Sequence, residues 1–225
     1  MRNALIFFLF LLALPHTLFA QKEDNIWLLG GSRSSDSLYK TCMFDFSDDT
    51  LTITYIYQNL PFSFTNASIS DATGNLICFS NGENIYNRNR EVMENGLDFY
   101  PNSDYQNGYP DPQSFMLLPL PGSSNKIVHI YGVPSLPNSL PAYAKILYAV
   151  LDKDMNNGLG SVIERDLIGG TDTLMWSLYT AVRHGNGRDW WILSPYFDYE
   201  KNIFYRLFLS PDGLKTVGNQ LAPVT

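Results

Sequence analysis

The chain has 225 residues, 45% hydrophobic and 14% aromatic, and its 22 acidic side chains outnumber 15 basic ones for a net charge of −7 with histidine neutral. So acidic a chain lacks the basic footprint that nucleic-acid binding requires, and its Lys and Arg are too scattered to form a stripe suited to anionic lipid. The length suffices for one sizeable domain with its own core.

The first element is a leader. Arg2, the apolar run from Ala4 to Leu14, Pro15 and then Thr17-Leu18-Phe19-Ala20 predict a signal peptide over residues 1–20, cleaved after Ala20. The run is short for about 30 Å of hydrocarbon, and no cysteine follows the cleavage point to carry a lipid. Residues 21–225 are then the mature domain, with Gln21 first and 14 basic against 22 acidic residues. No later stretch is long and apolar enough to span a membrane, so the mature chain is expected to be secreted or displayed at the cell surface.

Strand signals dominate the mature chain: Ile26–Leu29, Tyr39–Phe46, Leu51–Tyr57, Ser114–Leu118, Ile127–Val133, Ala144–Leu151, Trp190–Leu193 and Ile203–Leu209. The third alternates strictly, which places Leu51, Ile53, Tyr55 and Tyr57 on one face. Asn81-Gly82, Asn95-Gly96, Asn107-Gly108, Asn157-Gly158 and Asp212-Gly213 supply hairpin and loop chemistry between the runs. No stretch of helical length holds a 3.6-residue period, so the fold class is all-β. Two irregular segments, Glu94 to Pro112 and Pro134 to Pro141, read as long loops, the places where partners dock.

One unit recurs: a Gly/Asn/Asp-rich turn running into an apolar strand. Its copies are Asp71-Ala72-Thr73-Gly74-Asn75-Leu76-Ile77-Cys78-Phe79, Pro121-Gly122-Ser123-Ser124-Asn125-Lys126-Ile127-Val128-His129-Ile130-Tyr131 and His184-Gly185-Asn186-Gly187-Arg188-Asp189-Trp190-Trp191-Ile192-Leu193. Aligned on Ile77, Val128 and Trp191 they lie about 51 and 63 residues apart, the scale of one β-propeller blade. Four-stranded blades at that spacing give roughly four in the mature chain. Because an open array leaves apolar faces and strand edges bare, the chain is expected to be the N-terminal portion of a longer propeller.

Several residues suggest chemistry, and each has a structural reading beside it. Asp152, Asp154 and Asn156, with Glu164 downstream, resemble the start of a calcium loop, but the glycine and the closing Glu fall one residue late and the flanks are strands, which favours a hairpin. Asp45-Phe46-Ser47-Asp48-Asp49 reads as an exposed turn with side chains capping backbone amides. His129 and His184, the mature chain's histidines, lack a nucleophile motif nearby. The Asp71 turn lacks the Trp of a sialidase Asp-box and Ser210-Pro211-Asp212-Gly213 has its Gly directly after Asp, so both read as ordinary blade turns. Trp176, Trp190 and Trp191 offer rings for sugar stacking, though alternation directs one of the adjacent pair into the interior. Cys42 and Cys78 are either two small apolar residues in neighbouring strands or a disulfide. Asn66-Ala67-Ser68 is a glycosylation sequon. Asp36-Ser37-Leu38, Asp49-Thr50-Leu51 and Asp172-Thr173-Leu174 match a bacterial O-glycosylation pattern. No catalytic, cofactor-binding or metal-binding residue is assigned from these motifs.

An ordered set of segments resembles one bacterial family. It comprises Ala67 to Leu76, Asn81-Gly82-Glu83-Asn84-Ile85-Tyr86-Asn87-Arg88, Met93 to Gly96, Pro112 to Ser123, Tyr148 to Asp152, Asn157 to Val162, and Tyr179 to Trp191. Together they are similar to large secreted β-propeller proteins that often end in a type IX secretion sorting domain. The resemblance spans nearly all of the mature chain and implies a propeller, export, and an extracellular or surface location. It transfers no catalytic residue, and this sequence carries no sorting domain. The functional expectation is a non-catalytic scaffold for interaction or adhesion with a protein or glycan ligand, with no cofactor. The alternative is a carbohydrate-binding module, or a carbohydrate-active enzyme with carboxylates and Arg gathered at one end.

Overall fold

The computed structural model describes residues 22–30, 41–48, 50–56, 60, 62, 65–99, 112–134, 142–170, 174–175, 178–195 and 203–222. The leader, Tyr57, Trp176, Asn107-Gly108 and the segment 135–141 lie outside them, as do all or part of the three Asp-Ser/Thr-Leu triplets.

Among the described residues, fifteen strands form four antiparallel sheets, each a meander in chain order. Sheet 1 holds β1 (Ile26–Leu29), β2 (Thr41–Asp45) and β3 (Thr52–Ile56), and sheet 2 holds β4 (Ala67–Ser70), β5 (Leu76–Ser80) and β6 (Ile85–Asn87). Sheet 3 runs β7 (Phe115–Pro119), β8 (Lys126–Pro134), β9 (Ala142–Asp152), β10 (Ser161–Gly170), with β11 (Leu174–Met175) also paired to β9. Sheet 4 runs β12 (Thr180–Arg183), β13 (Trp190–Pro195), β14 (Ile203–Ser210) and β15 (Gly213–Leu221). The chain is all-β, and no helix among the described residues is long and apolar enough to cross a membrane. A single helical turn at Met155–Gly158 contains Asn156 and Asn157 in the left-handed region, φ 49° and 55°, which makes it a tight connection between β9 and β10.

The sheets stack in sequence because successive side chains on a strand point to opposite faces. In sheet 2, Phe79 and Tyr86 share one face and pack with Ile26, Leu28 and Ile56 of sheet 1. Ile69, Cys78 and Ile85 take the other face and join a larger core with sheets 3 and 4. That core contains Leu117, Ile130, Tyr131 and Ile146 of sheet 3 and Ile192, Tyr205, Leu207 and Leu209 of sheet 4.

The first strands lie together, β1 against β4 and β4 against β7. Polar links join their ends: Ser68 Oγ donates to the Ile26 carbonyl (2.7 Å), Ser114 N to Thr65 Oγ1 (3.1 Å), Tyr179 N to the Gln113 carbonyl (3.2 Å) and Trp190 Nε1 to the Pro119 carbonyl (3.3 Å). At the far side β10 meets β15. Gly169 permits that approach, since a Cβ there would lie 2.6 Å from Leu214 Cδ2, and its carbonyl accepts from Thr216 Oγ1 (2.8 Å).

The segment after β6 departs from its reading as an open loop. Val162 N donates to the Glu94 carbonyl, Asn95 Nδ2 donates to the Val162 carbonyl, and Arg165 donates to the carbonyls of Leu97 and Asp98. Met93 and Phe99 are buried. Glu94–Phe99 is therefore a strap held along β10, with Phe99 turned into the core and Leu97 left exposed.

Candidate functional site

The recurring turns all connect a first strand to a second: β4 to β5, β7 to β8 and β12 to β13. In each, one side-chain oxygen closes the turn on backbone N–H groups, which explains the demand for Asp, Ser and Asn there. Asp71 Oδ1 accepts from Thr73 N (2.8 Å), Asn75 N (3.0 Å) and the Thr73 hydroxyl (2.6 Å), and Oδ2 accepts from Asn75 Nδ2. Ser123 Oγ accepts from the amides of Asn125 and Lys126. Asn186 Oδ1 accepts from Arg188 N and Asp189 N, both at 3.0 Å. Asn81 and Asn87 close the connections around β6 in the same way.

The acidic residues that suggested chemistry stand in four different sheets, each occupied locally. Asp45 accepts from Ser47 N (2.8 Å), as the exposed-turn reading requires. Asp152 accepts from Asp154 N and from Asn125 Nδ2 (2.9 Å), so it ties the β7–β8 turn to the β9–β10 turn. Glu164 is paired within β10 opposite Val150 and Asp152 within β9 opposite Ser161, so the calcium-like spacing resolves into the β9–β10 hairpin. Asp189 is buried and takes a two-point contact from Arg188, 2.7 Å to Nε and 3.1 Å to Nη2.

Electrostatics follow from these contacts. Partial burial of Asp71 works to raise its carboxyl pKa, but the bonds from Thr73 and Asn75 outweigh it and hold the group below its ordinary value. Arg188's hydrogen bonds hold Asp189 low against a smaller opposing push from desolvation. A general acid needs the reverse, a carboxyl raised toward neutrality. Among the described residues no group of three or more His, Cys, Asp or Glu is placed to hold a metal ion.

Among the described residues, two of the open surfaces bear on the residues singled out above. A cleft of about 380 Å³ lies between the turns of sheets 2 and 3, lined by Asp71, Asn75, Ile77, Arg88, Lys153 and Asp154. Its charges are of both signs, with Lys153 3.7 Å from Asp154. The second surface is aromatic. Trp190 turns inward, with Arg183 over its ring at 4.2 Å, as alternation demands for one of the pair. Trp191 turns outward and packs on Phe208 (4.9 Å) and His184 (5.8 Å), whose ring nitrogen Nδ1 accepts from Asn186 N. The register places Val182, Trp191 and Phe208 in one row across β12, β13 and β14. Phe208 escaped the sequence reading because its partnership with Trp191 depends on strand register.

His129 is fully buried, with neither ring nitrogen hydrogen-bonded. It stacks on Phe115 (5.4 Å) and Tyr131 (5.3 Å) and meets the edge of Phe99 (4.9 Å). Burial, assisted by the nearby Arg165 cation, pushes its pKa down to about 3. His129 is thus a neutral core ring. No disulfide joins the two cysteines. Cys42 lies on β2, opposite Leu29 and Tyr55, while Cys78 lies on the face of sheet 2 that joins the larger core. They belong to separate sheets, which corrects the expectation of neighbouring strands, and burial pushes the Cys78 thiol up to about 12. The chain matches no protein-family model, no curated protein and no solved structure.

Proposed function

We propose that this chain is a secreted or cell-surface β-propeller segment, its four sheets successive blades, that acts as a non-catalytic scaffold for interaction or adhesion. The blade reading is supported by meanders in chain order, adjacent first strands and an equivalent turn opening three of the four sheets. The single observation that carries the non-catalytic reading is the fate of the acidic residues. Asp45, Asp71, Asp152 and Asp189 occupy different sheets, and each is bound by donors of its own neighbourhood. Residues 1–20 and the resemblance to type IX-associated propellers support export.

Two measurements test this reading. Expression of the full chain in a Gram-negative host is expected to deliver an exported protein whose N-terminus is Gln21; retention in the cytoplasm with Met1 or Arg2 first would contradict export. The purified mature chain is expected to turn over no member of a glycoside and polysaccharide panel. Hydrolysis abolished by Asp71→Asn or Asp189→Asn would overturn the scaffold assignment. A glycan ligand is the second reading, and the outward, partly exposed ring of Trp191 favours it, because an indole face can stack on a sugar. Glycan binding lost in Trp191→Ala would establish it.

A further inference from the structure

Each sheet ends in its last strand, β3, β6, β10 or β15. The free edge of such a strand carries a row of N–H and C=O groups that templates another strand unless it is covered or interrupted. Three of the four edges are managed. On β6, Ile85 N donates to the Gly96 carbonyl (2.8 Å) and the Ile85 carbonyl accepts from Met93 N (2.9 Å), while Val92 bridges Tyr86. The same segment reaches β10, where Val162 N donates to the Glu94 carbonyl (2.9 Å). On β15 the register slips at Val217, Gly218 stands at φ 109°, and Lys215 is exposed. A bulge and an edge lysine both deter pairing. The edge of β3 has none of these devices. It pairs with β2 without a bulge, and Leu51 to Ile56 holds no charge and no proline. Thr52, Ile53, Thr54 and Tyr55 are exposed on both faces of the sheet, Tyr55 to 60%. Among the described residues no strand lies outside it, and those that follow turn inward: Leu60 and Phe62 are buried with Ile56, and the Leu60 carbonyl accepts from Thr41 Oγ1 (3.0 Å).

We infer that the free edge of β3 is a pairing edge whose occupant is the β3 of a second copy, antiparallel about a twofold axis at Thr54. The strand itself specifies that occupant. Ile53 and Tyr55 lie on one face and Thr52 and Thr54 on the other, so an added strand must bring apolar groups to the first face and small hydroxyl-bearing ones to the second. A second β3 has that pattern. Centred on Thr54, the middle of Thr52–Ile56, the pair sets Ile53 of each copy against Tyr55 of the other and Thr54 against Thr54. Aromatic with β-branched and Thr with Thr are pairs that stabilise an antiparallel ladder, and a slip of one residue would exchange the faces. The row Trp27, Phe44, Ile53 then continues into Tyr55, Cys42 and Leu29 of the second copy. Charge sets the direction. Asp45 and Asp48 flank the β2–β3 turn in a chain of net charge −7, and antiparallel pairing sends the two acidic turns to opposite ends, where parallel pairing would bring them together. Such a contact is isologous and closes at two copies. It goes beyond the scaffold reading and does not depend on the sheets being blades.

Light scattering on the purified chain, followed across a wide concentration range, tests the inference. The wild type is expected to form a dimer that dissociates on dilution. Ile53→Lys and Tyr55→Glu are each expected to weaken it about tenfold or more, because each spoils two symmetry-related pairs. An equal mixture of the two is expected to recover the dimer, since the introduced ammonium of one chain then faces the introduced carboxylate of the other. Val182→Lys, on the exposed outer face of sheet 4, is expected to leave association unchanged. Circular dichroism checks that each variant is folded. Thr54→Cys supplies a readout that needs no charge at the edge: mild oxidation is expected to join the two substituted positions, which directly opposed strands bring to about 5 Å at Cβ. A wild type that stays monomeric throughout would overturn the inference. So would a dimer that both charge variants leave intact, a mixture that associates no better than either variant alone, or a Thr54→Cys chain that dimerises without that crosslink.

Discussion

Sheet 3 and sheet 1 both carry apolar side chains on their two faces, and they differ in what lies against those faces. In sheet 3, Phe115, Leu117, His129 and Tyr131 share one face, with Phe99 of the strap packed on them. Ile130 and Tyr148 share the other, and Tyr148 reaches to Gly213 of sheet 4. In sheet 1 only the face of Ile26 and Leu28 is covered, while Trp27, Ile53 and Tyr55 meet solvent. Strand patterning is thus local, and coverage is a property of the neighbouring sheet. Equal hydrophobicity carries unequal energetic weight.

The largest expected effect lies inside sheets 3 and 4. Ile130→Ala and Leu207→Ala, both at positions closed to solvent, are expected to lower stability by about 2–5 kcal/mol in urea titrations. Ile53→Ala and Tyr55→Ala in the monomeric chain should stay within about 0.5 kcal/mol. Similar losses at both sets would break the comparison.

The next effect is a pH slope from His129. Its pKa is about 3 in the fold against 6.5 when unfolded, so between these values the unfolded chain binds a proton that the folded chain refuses. Stability therefore falls as pH drops from about 6.5 toward 3, by about 1.4 kcal/mol per pH unit from this one group. His129→Phe is expected to remove that component, and an unchanged slope would mean the ring is solvated.

Smaller again is the turn chemistry. Asp71→Ala, which deprives Thr73 and Asn75 of their shared acceptor, is expected to cost about 1–2 kcal/mol. Asp71 is held below its ordinary pKa, so its contribution is present above about pH 4 and is lost as pH falls through the folded value. Asp154→Ala, which loses one exposed ion pair, should be near neutral. Smallest of all, alkylation of the native chain is expected to spare Cys78 until unfolding, since its thiol is buried and its pKa is raised.

Much of this arrangement is written in the sequence. The alternation of Leu51 to Tyr57 marks β3, the run Ile26–Leu29 matches β1 end for end, and the three Gly/Asn/Asp turns fall at one kind of connection. The strands that the sequence reading did not mark are β4, β6, β10, β11, β12 and β15. Among them, β10 breaks its alternation at bulges after Val162, Glu164 and Ile168, and β15 is largely polar at the edge of sheet 4. The roles of particular residues were harder to read because they depend on distant contacts. Glu94–Phe99 is polar enough to pass for a loop, and only its pairing with β10 makes it a strap. Trp191 and Phe208 meet only through register, and nothing local in Ile53 tells that its face is bare.

Hydroxyl-radical footprinting of the dilute, monomeric chain, read residue by residue by mass spectrometry, tests the contrast most directly. Trp27 and Tyr55 should oxidise rapidly while Tyr131 and Tyr205 remain protected until global unfolding. Protection of Trp27 and Tyr55 equal to that of Tyr131 in the monomer, or rapid oxidation of Tyr131, would contradict the division into covered and bare faces.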